Sequence, residues 1–414
     1  MRILIILKSF NYPPKNGGDQ AVFNAISKLN NMVDYHLLST DGSTLGIESI
    51  RNFRKDYPNI PSVIYDLTKK DKYQRICEFL KRISNYINRR NGNAHIVDII
   101  HSNSYDANAD YFYNFYSFIN SYIKENSIDI VQSEFSFTLG WLKGISENVK
   151  KVFVQHEIQF VVNYQRIMKH INDEKLLFKY NMEKQQEINA MNACDAIITL
   201  SEDDKNKLIK NGVHTSIFPS FAQVTFKNVN IEYPIKLKKQ LVFIGPETHE
   251  PNKHGLLWFL NEVFPLVLKE DNSIKLNIIG RWSESTIDKW KNKYSNINFL
   301  GYVDNLEDAI RSSILIVPIF HGSGIRMKIL EACNIGIPFI STIIGAEGLG
   351  FIPNEHCFIT DIPNEFANNV LKLMQDQTLV NKFVFECKKH IFNNFSDKNF
   401  IESRIKCYKE VLNQ

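Results

Sequence analysis

The residues best suited to chemistry lie together in the second half of the chain. An apolar run ends at Pro318, residues 321–324 read His-Gly-Ser-Gly, and the helical pattern that follows carries Arg326, Lys328 and Glu331. Glycines let a ligand approach the backbone closely, and the free N–H groups of a helix N-terminus bind phosphate. Cations in a first helical turn oppose the helix dipole, so a bound anion explains them better than helix stability does. The segment predicts a phosphate site, with Glu331 placed to accept hydrogen bonds from ribose hydroxyls.

An ordinary amphipathic helix with a solvated basic face explains the same residues, and the pattern alone does not decide between the two interpretations. Other catalytic signatures do not occur: the sequence has no G-x-G-x-x-G after a strand, no G-x-x-x-x-G-K-S/T and no G-x-S-x-G. His249-Glu250 with His254 differs from the zinc motif H-E-x-x-H, because the second histidine comes one position too late. We therefore expect neither a nicotinamide enzyme, a P-loop NTPase nor an α/β-hydrolase, and no metal site.

The composition is that of a globular protein. The chain has 414 residues, 44% of them apolar, with 49 Lys and Arg against 45 Asp and Glu, a formal net charge of +4. The length suggests two or three domains with cores of their own. Disordered chains, collagen-like repeats and small disulfide scaffolds are excluded, and the charge excess is too small to indicate nucleic-acid binding. The six cysteines are scattered without a C-x-x-C pair, which favours reduced, buried thiols.

Neither a membrane span nor a signal peptide is indicated. No run approaches the ~18 apolar residues that a spanning helix needs, and the apolar run at residues 3–7 is too short for a signal peptide. We expect a cytoplasmic protein that makes any membrane contact from the surface.

Short apolar runs rich in Ile, Val and Phe alternate with longer helical patterns, which is typical of parallel sheets covered on both faces in α/β domains. Strands are expected at residues 3–7, 35–39, 62–67, 128–132, 152–155, 196–200, 241–245, 275–279, 297–300, 314–318 and 338–341. Ligands bind at the carboxyl ends of strands in such sheets, so the residues that follow each strand are candidates. Residues 223–239 are charged and turn-prone and are predicted to hold the domain boundary.

Several short motifs occur in the order and spacing of a known family. Besides residues 314–349 they are Pro13-Pro14, Gly17-Gly18, Val154-Gln155-His156, Cys194-Asp195-Ala196-Ile197 with Ser201, Phe243-Ile244-Gly245, Pro251-Asn252, Leu257-Trp258-Phe259, Ile278-Ile279-Gly280 and Phe299-Leu300-Gly301-Tyr302-Val303. Together they resemble the retaining family 4 glycosyltransferases (glycosyl transferases group 1). The resemblance implies the α/β GT-B fold: two facing Rossmann-like domains with parallel sheets, at residues 1–225 and 226–390, and a C-terminal helix within residues 391–414 that crosses back to the first domain. A final helix packed on its own domain fits the pattern nearly as well.

The resemblance also implies roles in the first domain. The backbone at Gly17 and Gly18 would approach the diphosphate of the donor, and His156, at the end of a strand, would lie beside the transferred sugar. Taken singly, the glycine pair fits a turn that begins a helix, and His156 fits a buried imidazole with satisfied hydrogen bonds.

In the second domain the implied donor contacts are Gly322, Ser323, Gly324, Arg326, Lys328, Glu331 and Val303. Arg326 and Lys328 would hold the diphosphate, Glu331 the ribose and the backbone near Val303 the base. The chain departs from the family pattern twice. Many relatives have a second glutamate where this chain has Ser323, and many have a basic pair where residues 246–250 read Pro-Glu-Thr-His-Glu. We expect the phosphate contacts to have moved to Arg326 and Lys328.

The resemblance implies a retaining, hexosyltransferase-type enzyme that moves a sugar from a nucleotide diphosphate-sugar to a hydroxyl of a glycan or lipid-linked glycan, in bacterial-type polysaccharide synthesis. The D-x-D triplet expected of a metal-dependent GT-A enzyme does not occur. We therefore expect no cofactor and no metal, with the leaving diphosphate stabilised by fixed cations and helix N-termini. Three alternatives stay open: a GT-B nucleotide-sugar epimerase, a phosphorylase, and a sugar-nucleotide-binding subunit that has lost its activity with the change to Ser323.

The stretch at residues 69–90 has a larger net positive charge than the whole chain. Against two acids it carries Lys69, Lys70, Lys72, Arg75, Lys81, Arg82, Arg89 and Arg90. Its apolar residues recur at three- and four-residue spacing, which predicts a basic amphipathic helix. Such a helix can lie on an anionic membrane surface, here the inner face of the membrane, and many members of the family use lipid-linked acceptors. A helix packed on its own domain with a solvated basic face fits the same pattern.

Overall fold

The structure, a computed structural model, describes residues 1–67, 83, 109–220 and 236–413. The chain divides into two compact units, one formed by residues 1–223 and 400–414 and the other by residues 224–399. The predicted basic helix at residues 69–90, apart from residue 83, and most of the predicted boundary segment at residues 223–239 lie outside the described residues.

The described residues of the first unit form a seven-stranded sheet in the order β3-β2-β1-β4-β5-β6-β7. Its strands are β1 (Arg2–Leu7), β2 (Asp34–Ser39), β3 (Ser62–Ile64), β4 (Ile130–Glu134), β5 (Lys150–Gln155), β6 (Ala196–Thr199) and β7 (Ser216–Pro219). Every pairing between them is parallel. The apolar run of β1 is buried from Ile3 to Leu7, because parallel strands are covered on both faces.

Helices connect these strands, since a parallel crossover needs a long connection. They are α1 (Gly17–Leu29), α2 (Thr44–Asp56), α3 (Ala109–Asn126), the short α4 (Ser136–Leu139), α5 (Gln159–Ile167), α6 (Glu174–Asn192) and α7 (Glu202–Lys210). Their buried faces pack with the strands in one hydrophobic core that includes Phe115, Phe153 and Phe160.

The second unit, as far as the structure describes it from residue 236 on, contains a six-stranded parallel sheet in the order β10-β9-β8-β11-β12-β13. Its strands are β8 (Gln240–Ile244), β9 (Lys275–Ile279), β10 (Ile297–Gly301), β11 (Ile314–Val317), β12 (Phe339–Ser341) and β13 (Phe358–Ile359). Its helices are α8 (Glu250–Trp258), α9 (Phe264–Glu270), α10 (Glu284–Lys293), α11 (Leu306–Ile310), α12 (Met327–Ile335), α13 (Pro363–Gln375) and α14 (Gln377–Asn394). The core of this unit is rich in aromatic residues, among them Phe259, Phe264 and Trp290.

The last helix, α15 (Asp397–Leu412), packs on the first unit. Its residues Phe400, Cys407, Tyr408 and Val411 are buried. The Ser403 hydroxyl donates to Ser220 Oγ over 3.1 Å. The expected return of the C-terminal helix to the first domain is therefore present.

The observed strands differ from the predicted ones mainly in extent. The strand predicted at residues 128–132 runs from Ile130 to Glu134, so it extends over two buried polar residues, Ser133 and Glu134, that the apolar pattern did not indicate. β7 and β13 were not predicted, because β7 is a partly exposed edge strand and β13 has two residues. No helix in the described part of the chain is long and apolar enough to cross a membrane. The five cysteines described there are buried and form no disulfide.

Candidate functional site

The first unit gathers its candidate residues where β1, β4 and β5 end. β4 ends at Glu134, Phe135 follows it, and His156 comes directly after β5. The first turn of α1, which begins at Gly17, comes to the same place. These residues form what we call the first-unit cluster: Gly18, Glu134, Phe135 and His156.

His156 is held tightly in this cluster. Its Nε2 lies 2.6 Å from Glu134 Oε2, and the two side chains are 9% and 2% exposed. The imidazole also stacks on the Phe135 ring, with 4.0 Å between the ring centroids. Phe135 has a positive φ of 68°, a conformation that a bulky residue adopts only when its surroundings impose it.

The glycine pair is close to this stack. A Cβ atom at Gly18 would lie 3.0 Å from two atoms of the Phe135 ring, so a larger residue would push against the ring. Asn16 caps α1, accepting from the Asp19 N–H over 2.9 Å, and donates to the buried Asp19 carboxylate over 2.7 Å. The structure therefore brings together two sites that the sequence named separately, the Gly17-Gly18 turn and His156.

Sequence reasoning missed Glu134 and Phe135. The one signal for Glu134 was its place in the polar Gln-Ser-Glu that directly follows an apolar run. A carboxylate at the end of a buried strand needs a hydrogen-bonding partner, which makes it a candidate site residue. Nothing in the sequence indicates the backbone conformation of Phe135.

The second unit holds the cationic loop, residues 321–328, which follows β11 and includes the first two residues of α12. Gly322 and Gly324 have φ values of +116° and +79°, which favour glycine at both positions. Arg326 precedes α12 and makes no side-chain cap at its N-terminus. Instead, Nη1 of Arg326 donates to the carbonyl oxygens of Ser323 and Gly324 over 3.0 and 2.7 Å. The guanidinium thus fixes the loop that precedes it.

Lys328 reaches the carboxyl end of β8. Its ammonium donates to the carbonyl oxygen of Ile244 and to Asn252 Oδ1, the latter over 3.0 Å. Burial, and then the charge of Arg326, lower the pKa of Lys328 to about 7, although Glu331 partly offsets them. A cation whose partners are neutral oxygens is costly to bury, and an anion beside it would restore its charge.

The structure places the other predicted contacts around this loop or at the edge of the sheet. Gly322, Ser323 and Gly324 are buried, and Glu331 is near enough to Lys328 to affect its charge. Val303 follows β10, two strands away from β8 at the edge of the sheet. The structure also pairs two histidines that the sequence did not connect: His254 Nδ1 lies 3.1 Å from His321 Nε2.

A cavity of about 620 Å³ opens beyond the carboxyl ends of β8 and β9. Its lining residues are Glu247, Thr248, Glu250, Lys253, His254, Arg281, Trp282 and Ser283. Glu247 joins the two loops, because its carboxylate accepts from the Ser283 N–H over 2.7 Å and from the Thr286 hydroxyl over 2.9 Å. The bond from the Ser283 backbone, aided by the two hydroxyls and Lys253, lowers the pKa of Glu247 to about 2.

The comparisons with known proteins match this architecture. Residues 238–376 match the family described as glycosyl transferases group 1. An uncharacterized 44.6 kDa protein in the cps region of Klebsiella pneumoniae is 25% identical over 301 residues, which cover 67% of this chain and 74% of that protein.

Among solved structures, S. aureus TarM has a TM-score of 0.70 at 15% identity, with 100% of both chains covered. Sucrose-phosphate synthase from Thermosynechococcus elongatus has a TM-score of 0.69 at 12% identity, covering 99% of both chains. HepE of Anabaena has a TM-score of 0.68 at 9% identity, covering 99% of this chain and 100% of that one. The predicted GT-B fold is confirmed, and the predicted resemblance to glycosyl transferases group 1 is matched over residues 238–376, whereas the retaining family 4 assignment and the roles of the site residues stay predictions.

Replacing Glu247 with Gln should lower the free energy of unfolding at pH 7 by about 1–2 kcal/mol, because the donors from Ser283, Thr286 and Lys253 lose a charged acceptor. The pKa of Glu247 is lower in the folded state, so its contribution is complete above its ordinary value and is lost as the pH falls towards 2. Denaturation of both proteins between pH 7 and pH 3.5 should show the difference shrinking. The control is Glu262→Gln, an exposed carboxylate of the same unit. Equal stability of Glu247→Gln and the wild type at pH 7 would contradict the contacts described.

Proposed function

We propose that the protein transfers a hexose or similar sugar from a nucleotide diphosphate-sugar to a hydroxyl of a glycan or lipid-linked glycan. The observation that carries the proposal is the cationic loop of the group 1 domain. It sets Arg326 and Lys328 at the N-terminus of α12, with Lys328 reaching the carboxyl end of β8. Fixed cations and free N–H groups at that position suit a diphosphate.

The relatives support the donor and the pathway class. TarM was solved with UDP and alpha-GlcNAc-glycerol, and HepE with UDP and with UDP-glucose. The Klebsiella relative is described as lying in a cps region. These descriptions favour a nucleotide-sugar as donor and bacterial-type polysaccharide synthesis as the setting. We place the enzyme in the cytoplasm, at the inner face of the membrane, with residues 69–90 as the surface that meets anionic lipid.

The proposed reaction retains the configuration of the sugar and needs no metal. The bond between the anomeric carbon and the diphosphate oxygen breaks, the acceptor oxygen forms the new bond from the same face, and its proton passes to the departing diphosphate oxygen. Arg326, Lys328 and the N-terminus of α12 stabilise the negative charge that develops on the leaving diphosphate. His156, held by Glu134, lies beside the sugar in this proposal.

A thermal-shift panel of UDP, GDP, ADP and their sugars tests donor binding. The preferred nucleotide should stabilise the protein by about 2.7 kcal/mol at a hundredfold excess over Kd, and the others by less. Arg326→Ala should reduce the shift. Arg311→Ala, which removes an exposed arginine of the same unit, should leave it unchanged. If no nucleotide shifts the midpoint, the proposed function is wrong.

Turnover of the preferred donor tests the chemistry. The protein should consume the donor equally well with and without EDTA, and NMR of the product should show the anomeric configuration of the donor. Loss of activity in EDTA would refute the metal-independent reaction, and an inverted product would refute retention. A protein that binds the donor but neither transfers nor hydrolyses it would be the inactive binding subunit that Ser323 suggests.

Donor binding should weaken as the pH rises above 7. Lys328 has a pKa of about 7 in the free protein, and a bound diphosphate would raise that pKa, so binding above pH 7 takes up a proton. The affinity for the nucleotide-sugar should fall by up to about tenfold per pH unit between pH 7 and 8.5. Lys328→Met should bind more weakly at pH 7 and show a flat profile, as isothermal titration would reveal. A wild-type profile that is also flat would exclude this role for Lys328.

A further inference from the structure

A chain of buried side chains runs beneath His156 and ends on the C-terminal helix. Tyr408 of α15 donates its hydroxyl hydrogen to Gln132 Oε1 over 2.6 Å. Gln132 Nε2 donates to Glu134 Oε1 over 2.5 Å. The other carboxylate oxygen of Glu134 lies 2.6 Å from His156 Nε2. Tyr408, Gln132 and Glu134 are 0%, 1% and 2% exposed, so water does not compete for these bonds.

The chain has a direction, because each link fixes the next. Because the Tyr408 hydroxyl donates to the side-chain oxygen of Gln132, the N–H₂ group of that amide faces Glu134. The carboxylate only accepts, so the hydrogen between Glu134 and His156 belongs to Nε2 of the imidazole. In the neutral ring Nδ1 then carries the lone pair.

The C-terminal helix also brings a counter-charge. Arg404, 2% exposed, acts electrostatically on Glu134, Tyr408 and Tyr35 and donates from Nε to Ser220 Oγ over 3.3 Å. The charge of a buried carboxylate is costly unless an opposite charge compensates it. Phe135 completes the arrangement, since its ring covers one face of the imidazole and limits its rotation.

We propose that Glu134 is a positioning residue for His156, and that Tyr408 and Gln132 orient Glu134 from the C-terminal helix. Together they hold His156 with its hydrogen on Nε2 and leave Nδ1 to accept a hydrogen bond from a substrate hydroxyl. The inference rests on the proposed function for the identity of the substrate as a sugar or acceptor hydroxyl. In this proposal α15 does more than pack against the rest of the first unit, because it also orients residues of the site.

The test is the tautomer of His156 in the full-length protein, read by NMR of ¹⁵N-labelled histidine and assigned with His156→Gln. The wild type should carry the hydrogen on Nε2. In Glu134→Gln the amide N–H₂ of Gln132 still faces the variant side chain, which must offer its oxygen there and turn its own N–H₂ towards His156. The ring should therefore switch to the Nδ1–H form, whereas Glu134→Asp should keep the wild-type form.

Kinetics separate positioning from stability. A histidine in the wrong tautomer should lower kcat of Glu134→Gln by about 10²-fold or more, while KM for the nucleotide-sugar stays within about twofold. Tyr408→Phe should lower kcat by about tenfold, because Gln132 loses the bond that orients it. Its matched control is Ser403→Ala, which also removes one hydroxyl bond between α15 and the rest of the first unit but lies outside the series of bonds that leads to His156.

The outcomes are distinct. If His156 keeps its hydrogen on Nε2 in Glu134→Gln, the proposal is overturned. It is also overturned if the tautomer switches while kcat of both variants matches that of Ser403→Ala. Failure of the proposed function would be visible separately, as a wild type that no nucleotide stabilises, and the tautomer measurement would then decide the role of Glu134 alone.

Discussion

Parallel pairing of the strands is the constraint on which both candidate sites depend. It sets all strand carboxyl ends of a sheet along one edge, where the chain must leave the sheet and expose backbone groups. Polar side chains can be concentrated there without disturbing a core that is covered on both faces. Glu134 and His156 reach that edge in the first unit, and Lys328 reaches it in the second.

The two sites bury charge in opposite ways. The Glu134 carboxylate receives hydrogen bonds from Gln132 and His156 and lies within the field of Arg404, so it is compensated inside its own unit. The Lys328 ammonium donates to a backbone carbonyl oxygen and to a side-chain amide oxygen, and burial lowers its pKa to about 7. The first arrangement favours a rigid side chain, and the second favours an anionic ligand.

The sequence predicted what local patterns determine. Uniformly apolar runs indicated the parallel strands. As expected, His156 follows the end of a strand, and the glycine-rich turns, Arg326 and Lys328 lie at the starts of helices. The end of β4 could not be predicted, because Glu134 is buried by partners such as Tyr408, which bonds to Gln132 from 276 residues away. The positive φ of Phe135 is likewise imposed by its surroundings and has no signature in its neighbours along the chain. The edge strand β7 escaped because it is half exposed and ends in a proline.

The course of the chain also orders events during synthesis. Along the chain, residues 224–399, which form the second unit, lie between the two parts of the first unit, residues 1–223 and 400–414. A ribosome makes the chain from its N-terminus, and domains generally fold as units while they emerge. The sheet that carries His156 can therefore collapse long before Tyr408 and Arg404 exist. Until the helix docks, Glu134 lacks its counter-charge and Gln132 its hydroxyl partner. In nascent chains His156 should thus lie in a folded sheet without the bonds that orient it, and the site is complete only after α15 has been translated and has docked.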